Sequence, residues 1–268
     1  MLLMISTASA FKYNEDVKST SLNFTHTILI EKCTATWCPN CPVASEALEN
    51  VYESGQYSFY YISLVDDMNT IAKKRNKDFT MLLFPIYALP TIYLDGGNTN
   101  FVGHEETVLD TENAFSSLIE QEGQRTTKYK ITLDSTVTWD GDAKLTVTVD
   151  VTNDEISFFF GKIRSYVTEI ISRWNDYDGN PYHYALIDYA INKFIFLKPG
   201  QTKTFTATFD GTLNHGGSTF DDLTSDNIMV ISAVSHWLPQ YRIGYQSTEY
   251  TQRYFAHVVD ETTAAIPT

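Results

Sequence analysis

The chain has 268 residues, 43% of them hydrophobic, which is enough apolar material for two domain-sized cores and too much for extensive disorder. Nineteen basic against thirty-three acidic residues give a formal charge of -14, so the surface repels phosphate backbones and argues against nucleic acid as a partner. Three cysteines, all between positions 33 and 41, exclude a scaffold stapled by several disulfides.

Residues 1-10 (MLLMISTASA) resemble the end of a secretory signal, a short apolar run before the small residues Ala8-Ser9-Ala10. No basic region precedes the run, so the alternative is a plain apolar start to a strand; the signal reading places the protein outside the cytoplasm. Residues 11-26 form a polar lead-in ending near the sequon Asn23-Phe24-Thr25. Nowhere does the chain offer eighteen consecutive uncharged apolar residues, so no transmembrane segment is expected.

Thr27 to Ala35 reads as a buried strand running directly into Trp37-Cys38-Pro39-Asn40-Cys41-Pro42. A helix follows, its apolar positions Val43, Ala44, Ala47, Leu48 and Val51 recurring at three- and four-residue intervals until Gly55. Tyr57 to Val65 predicts a second strand, and Met68 to Lys77 a second helix. The stretch from Phe84 through Leu89-Pro90-Thr91 enters a hairpin of Ile92 to Leu94 and Phe101 to Gly103, turned by Asp95-Gly96-Gly97. A last amphipathic helix spans Glu105 to Glu120.

The order β-α-β-α-β-β-α covers residues 27-122, and residues 123-127 read as a linker. From 128 to 268 Thr-rich alternation replaces helical spacing, clearest in Leu145, Val147, Val149 and Val151. Seven strand candidates lie there, at 128-133, 144-151, 161-171, 191-197, 203-209, 227-236 and 251-259, which predicts an all-β sandwich.

The chemistry is carried by Cys38 and Cys41. A zinc site needs four ligands, and with no second C-x-x-C and only scattered histidines no metal is expected there. Where a strand meets a helix, two cysteines three residues apart can close a disulfide, and the orphan amides of the helix start favour a thiolate. Cys38, at the mouth of the helix, is the expected nucleophile; Cys41, one turn inward, attacks the mixed disulfide and releases the product. The redox-active disulfide is the only cofactor required. Cys33 reads as a small buried hydrophobe.

Trp37-Cys38-Pro39-Asn40-Cys41, Asp66-Asp67, Leu89-Pro90-Thr91 and Asp95-Gly96 to Gly103 together resemble the thioredoxin superfamily, over roughly Thr27 to Glu122. The resemblance implies an α/β thioredoxin-like domain with a central mixed sheet, a cis Leu89-Pro90 bond against the sulfurs, and a Leu89 backbone that pairs with an extended substrate. It implies exchange with protein thiols and disulfides, with Trp37, Pro39, Asn40, Leu89 and Pro90 forming the substrate surface. Members of the superfamily keep a buried acid six residues before the first cysteine, as proton acceptor. This chain departs from that pattern with Lys32, so Glu31 beside it is the candidate acceptor, and Lys32 is a candidate for holding a thiolate electrostatically.

The second half shows no catalytic signature. Its most unusual segment is Trp174 to Tyr184, which reads as a loop; Asp176 to Asn180 within it mimics part of a calcium loop without its glycine and distal glutamate. The whole layout resembles exported proteins that join a thioredoxin-like half to an Ig-like sandwich. Three functions follow: an extracytoplasmic thiol-disulfide oxidoreductase, a surface or binding protein with a static disulfide, and a peroxidase resolved by Cys41, which lacks the expected Thr/Arg surround.

Overall fold

A computed structural model describes residues 23-79, 88-246 and 251-268. The signal-like segment, most of the lead-in and residues Phe84 to Tyr87 lie outside the described residues.

The first part of the chain runs β1 (Ile28–Thr34), α1 (Cys41–Glu53), β2 (Phe59–Val65), α2 (Thr70–Asp78), β3 (Thr91–Leu94), β4 (Thr99–Val102) and α3 (Val108–Gly123). The second part is built of strands: β5 (Ile131–Gly141), β6 (Lys144–Asn153), β7 (Phe159–Asn175), β8 (Pro181–Leu197), β9 (Thr202–Asp210), β10 (Ile228–His236), β11 (Gln240–Gln246), β12 (Thr251–Ala256) and β13 (Val259–Ala265). Local chemistry accounts for the helix starts. Asn69 accepts the Ile71 and Ala72 amides at 2.8 and 3.3 Å, and Thr107 accepts the Asp110 amide at 3.1 Å, each satisfying orphan donors of a first turn.

Eight strands form one mixed sheet in the order β13-β10-β7-β8-β2-β1-β3-β4. This sheet overturns the expected fold class, an α/β thioredoxin-like domain followed by a separate Ig-like sandwich. The reason lies at β2, whose outer edge pairs in parallel with β8 at Ser63↔Ala185, so strands from both halves share one hydrogen-bonded sheet and the protein is mostly β. A bare edge at β2 would leave a row of unpaired backbone groups; β8 covers that edge, pairing at Ser63 and accepting the Ser63 hydroxyl at the His183 carbonyl.

Every residue of β1 is buried, as a strand at the centre of a doubly covered sheet must be. On one face α1 and α3 pack over Ile28, Ile30, Tyr61 and Ile92. Further along the same face, the three-stranded sheet β5-β6-β9 sets Leu145, Val147, Val149 and Val151 against Val65, Ile163, Val167, Ile187 and Val230. The opposite face is covered by α2 and β12, whose Ala72, Tyr254 and Ala256 meet Leu29, Cys33, Ile62, Leu64, Tyr166 and Ile231. A patch of exposed rings, Phe158, Phe160, Phe194, Phe196 and Trp237, lies where β7 begins and β8 ends.

The turn between β3 and β4 locks the end of the chain to its start. The Asp95 amide donates to the Leu29 carbonyl at 2.7 Å and its carbonyl accepts the Val259 amide at 3.1 Å, while its carboxylate accepts the Leu29 amide at 3.0 Å and meets buried His26 at 2.5 Å and Arg125 at 2.9 Å. Gly96 adopts φ +66°, and a Cβ there would lie 2.2 Å from the His257 carbonyl oxygen, so this approach requires glycine.

Candidate functional site

Cys38 and Cys41 are joined in a disulfide, with their Cα atoms 5.4 Å apart. The helix begins at Cys41 with Pro42 in its first turn, and Cys38 stands one turn ahead; the Cys41 amide donates to the Cys38 carbonyl at 3.2 Å. Both sulfurs therefore sit at the helix start, where unpaired amides and the macrodipole stabilise negative charge. Cys41 is fully buried and Cys38 is 3% exposed, packed with Ala35 and Leu89. What the site shows to solvent is Trp37, 63% exposed, with Pro39 and Asn40 beside it. The Leu89-Pro90 peptide bond is cis.

Two struts hold the loop that carries the cysteines. Asp67, just past β2, accepts the Thr36 amide at 3.0 Å and the Thr36 hydroxyl at 2.5 Å. Tyr182, on β8, donates its hydroxyl to the Ala35 carbonyl at 3.0 Å and accepts from Thr34 Oγ1 at 3.0 Å. That same carbonyl accepts the Cys38 amide at 3.1 Å, so the second half of the chain is fastened to the first cysteine's backbone. Burial raises the Tyr182 phenol to about 12, which keeps it a donor at neutral pH.

The alternation of β1 decides which neighbour reaches the cysteines. Glu31 points to the face covered by α2. It is fully buried there, gripped by Arg75 (Nε to Oε1 at 2.7 Å, Nη2 to Oε2 at 2.6 Å) and by the Tyr166 hydroxyl at 3.0 Å. The structure thus packs Leu89 on Cys38 and Cys41, with Trp37, Pro39 and Asn40 in the same loop and buried Pro90 next to Leu89 in the chain, and does not bring Glu31 to them. Cys33 shares the Glu31 face: its thiol donates to Asn76 Oδ1 at 2.9 Å, and burial, followed by the charge of Glu31, pushes it well above the ordinary thiol range.

Lys32 points the other way, beneath α1. Its ammonium lies 2.8 Å from Ser45 Oγ and over the rings of Tyr182 and Tyr61, 5.2 and 5.9 Å from their centroids. The side chain is 1% exposed, and burial lowers it to about 7 against the weaker opposing pull of Glu49 and Asp176.

The segment Trp174 to Tyr184 is a loop only over 176-180, an exposed turn; Trp174 and Asn175 end β7 and Pro181 to Tyr184 begin β8, so the segment supplies Tyr182 and Asp176. The turn is closed by Asp176, whose carboxylate accepts the Asp178 and Asn180 amides at 3.0 and 2.9 Å. Next to Tyr182, His183 Nδ1 lies 2.7 Å from Glu49 on α1. Tyr182, His183 and Ser45 carried no motif. The only signals were the density of rings in 174-184 and the lysine six residues before Cys38.

No family model and no curated protein matches the chain. Among solved structures it is similar to HBP35 of Porphyromonas gingivalis, with a TM-score of 0.60 at 14% identity over 91% of this chain and 78% of that one. It also aligns with an Agrobacterium tumefaciens protein over 91% of this chain and 95% of that one, at 12% identity and a TM-score of 0.48. At such identity the first likeness speaks to fold alone. No group of ligating side chains able to hold a metal occurs among the described residues, and none of their helices is long and apolar enough to cross a membrane.

Proposed function

We propose that the protein is a thiol-disulfide oxidoreductase that exchanges electrons with protein dithiols or disulfides through Cys38 and Cys41, outside the cytoplasm. The observation that carries this reading is the Cys38-Cys41 disulfide closed at the first turn of α1, with Trp37, Pro39 and Asn40 exposed around it and Leu89 packed on it. Reduced, Cys38 is the nucleophile, because it stands at the open end of the helix. Cys41, fully buried, is reached only from within and resolves the mixed disulfide. Trp37, Pro39, Asn40, Leu89 and Pro90 form the surface against which an extended substrate segment lies.

One observation favours a second reading: Cys38 is only 3% exposed, which suits a static bond bracing the loop of a surface or binding protein. Insulin reduction and refolding of scrambled ribonuclease separate the two. Under the enzymatic reading wild type is active in at least one assay and Cys38→Ser in neither; equal, background-level rates leave only the scaffold.

A further inference from the structure

Arg164 on β7 carries a charge that the fold leaves uncompensated. It is 7% exposed, yet among the described residues it makes no hydrogen bond and no ion pair, whereas Arg75, Arg125 and Arg173 each hold a carboxylate. A guanidinium in that position is costly unless something pairs with it. The side-chain atoms sealed from water without a partner among the described residues are the hydroxyls of Ser135, Ser235 and Thr262, so the Arg164 nitrogens are reached from solvent. Alternation along β7 sets Phe160, Lys162, Arg164 and Tyr166 on one face, which α2 and β12 cover at Tyr166. Exposure rises along that row, from sealed Tyr166 through Arg164 and half-buried Lys162 to exposed Phe160, which describes a recess with a charged throat and an aromatic mouth. Across the strand pair Phe194 stands opposite Lys162 and Phe196 opposite Phe160, with the Lys162 ammonium 5.4 Å from the Phe194 centroid. Trp237 closes the mouth, its ring 5.1 Å from Phe160 and 4.8 Å from Phe194.

We propose that this recess binds a long-chain carboxylate, its head between Arg164 and Lys162 and its chain over Phe160, Phe194 and Trp237. The planar fork of an arginine matches a carboxylate, and the rings supply apolar surface for the chain beside it. The acid nearest these cations is committed elsewhere: Asp78, half-exposed at the end of α2, is taken by Arg75, which is shared with Glu31. Mutual repulsion marks the crowding of positive charge. Burial and then the charge of Arg164 lower Lys162 to about 8, and burial followed by Arg164, Arg75 and Lys162 lowers His257, which is therefore neutral at pH 7. Two free cations with Asp78 nearby suit a singly charged head better than a phosphate dianion. A flat lipid surface does not reach a guanidinium sunk this far, whereas the head of a free chain does. The site is remote from the cysteines, since Phe194 lies on the order of 40 Å along β8 from Tyr182, and it does not depend on the exchange reading.

The test titrates the full-length protein calorimetrically with dodecanoate below its micelle concentration, at neutral pH. One chain should bind per protein, and Arg164→Met should weaken it by about tenfold to a hundredfold, the worth of hydrogen bonds to a charged group. Dodecyl maltoside, with a neutral head on a chain of the same length, should bind wild type at least about ten times more weakly than dodecanoate. Phe194→Ser should cost dodecanoate about tenfold; that ring is exposed, so this variant keeps the test open if Arg164→Met does not fold. Arg164→Met removes an unpaired buried charge and should therefore raise the denaturant midpoint. A lower midpoint would mean that Arg164 is paired within the fold, and overturns the site. Equal dodecanoate affinity in wild type and Arg164→Met, or in wild type and Phe194→Ser, overturns it as well, as does dodecyl maltoside binding as tightly as dodecanoate. Sedimentation with phosphatidylcholine-phosphatidylglycerol vesicles without any binding of dodecanoate would make the rings a lipid-docking surface instead.

Discussion

Tyr182 donates to the carbonyl of Ala35 at 3.0 Å, across 147 residues of chain, and so ties the second half of the protein to the backbone from which Cys38 hangs. Tyr182→Phe removes this donor and the acceptor of the Thr34 hydroxyl while keeping the ring over Lys32. The expected loss is about 1-2 kcal/mol in denaturant unfolding. The Cys38 amide should also exchange its hydrogen faster with solvent. Unaltered exchange at that amide would mean that the strut does not hold the loop.

The Glu31-Arg75 pair predicts a larger effect on stability and none on chemistry. Arg75→Met leaves a fully buried carboxylate facing only Tyr166, at a cost of about 3-5 kcal/mol. Glu31→Gln keeps its shape, and because the side chain sits on the far face of β1 the pH profile of exchange should follow wild type. A shifted profile in Glu31→Gln would return Glu31 to the role of proton acceptor.

Lys32 also leaves a mark on stability. Its folded pKa of about 7 lies below the unfolded lysine value of 10.5, so between those pH values the unfolded chain binds more protons and stability rises as pH rises. Below pH 7 both states are protonated and the burial penalty is felt in full. Unfolding free energies of wild type and Lys32→Met should therefore diverge on going from pH 10 to pH 6, with wild type losing roughly 4-5 kcal/mol relative to the variant as an upper bound. Lys162, lowered to about 8 by partial burial, titrates in both proteins and cancels in the difference. Parallel curves would show that Lys32 keeps its proton in the fold.

Gly96 and Gly103 both have positive φ, at +66° and +85°, but only Gly96 has backbone against the place where a Cβ would go. Both alanine variants bear the conformational cost of about 1-3 kcal/mol. Gly96→Ala must in addition push His257 away, so its denaturation midpoint should fall well below that of Gly103→Ala. Equal midpoints would mean that the junction at Asp95 and Val259 yields freely.

The sequence was most legible where one local pattern governs. The helical spacing of Ala44, Ala47, Leu48 and Val51 and the alternation from Leu145 to Val151 each mark the side that faces the core, and the two cysteines stand where a strand meets a helix. What failed was the assembly of the sheet. The first residues of β8 were hidden because its pairing with β7 shifts register after Ser165, Val167 and Ile171, and each bulge breaks the two-residue alternation that marks a strand. With those residues read as a loop, the pairing of Ser63 with Ala185 had no visible partner, and two separate domains were the natural expectation. Glu31 and Lys32 show the same limit at one site: composition gives an acid and a base side by side, and only the facing of the strand says which lies under the cysteines.

The joining of β8 to β2 bears on any attempt to work with half of this molecule. A chain ended after Gly123 would carry both cysteines and Leu89, yet would expose the flank of β2 from Phe59 to Val65 as an unprotected, strongly apolar ribbon and would lose the phenol that steadies Ala35. Such a fragment is a seed for self-association rather than a smaller version of the protein.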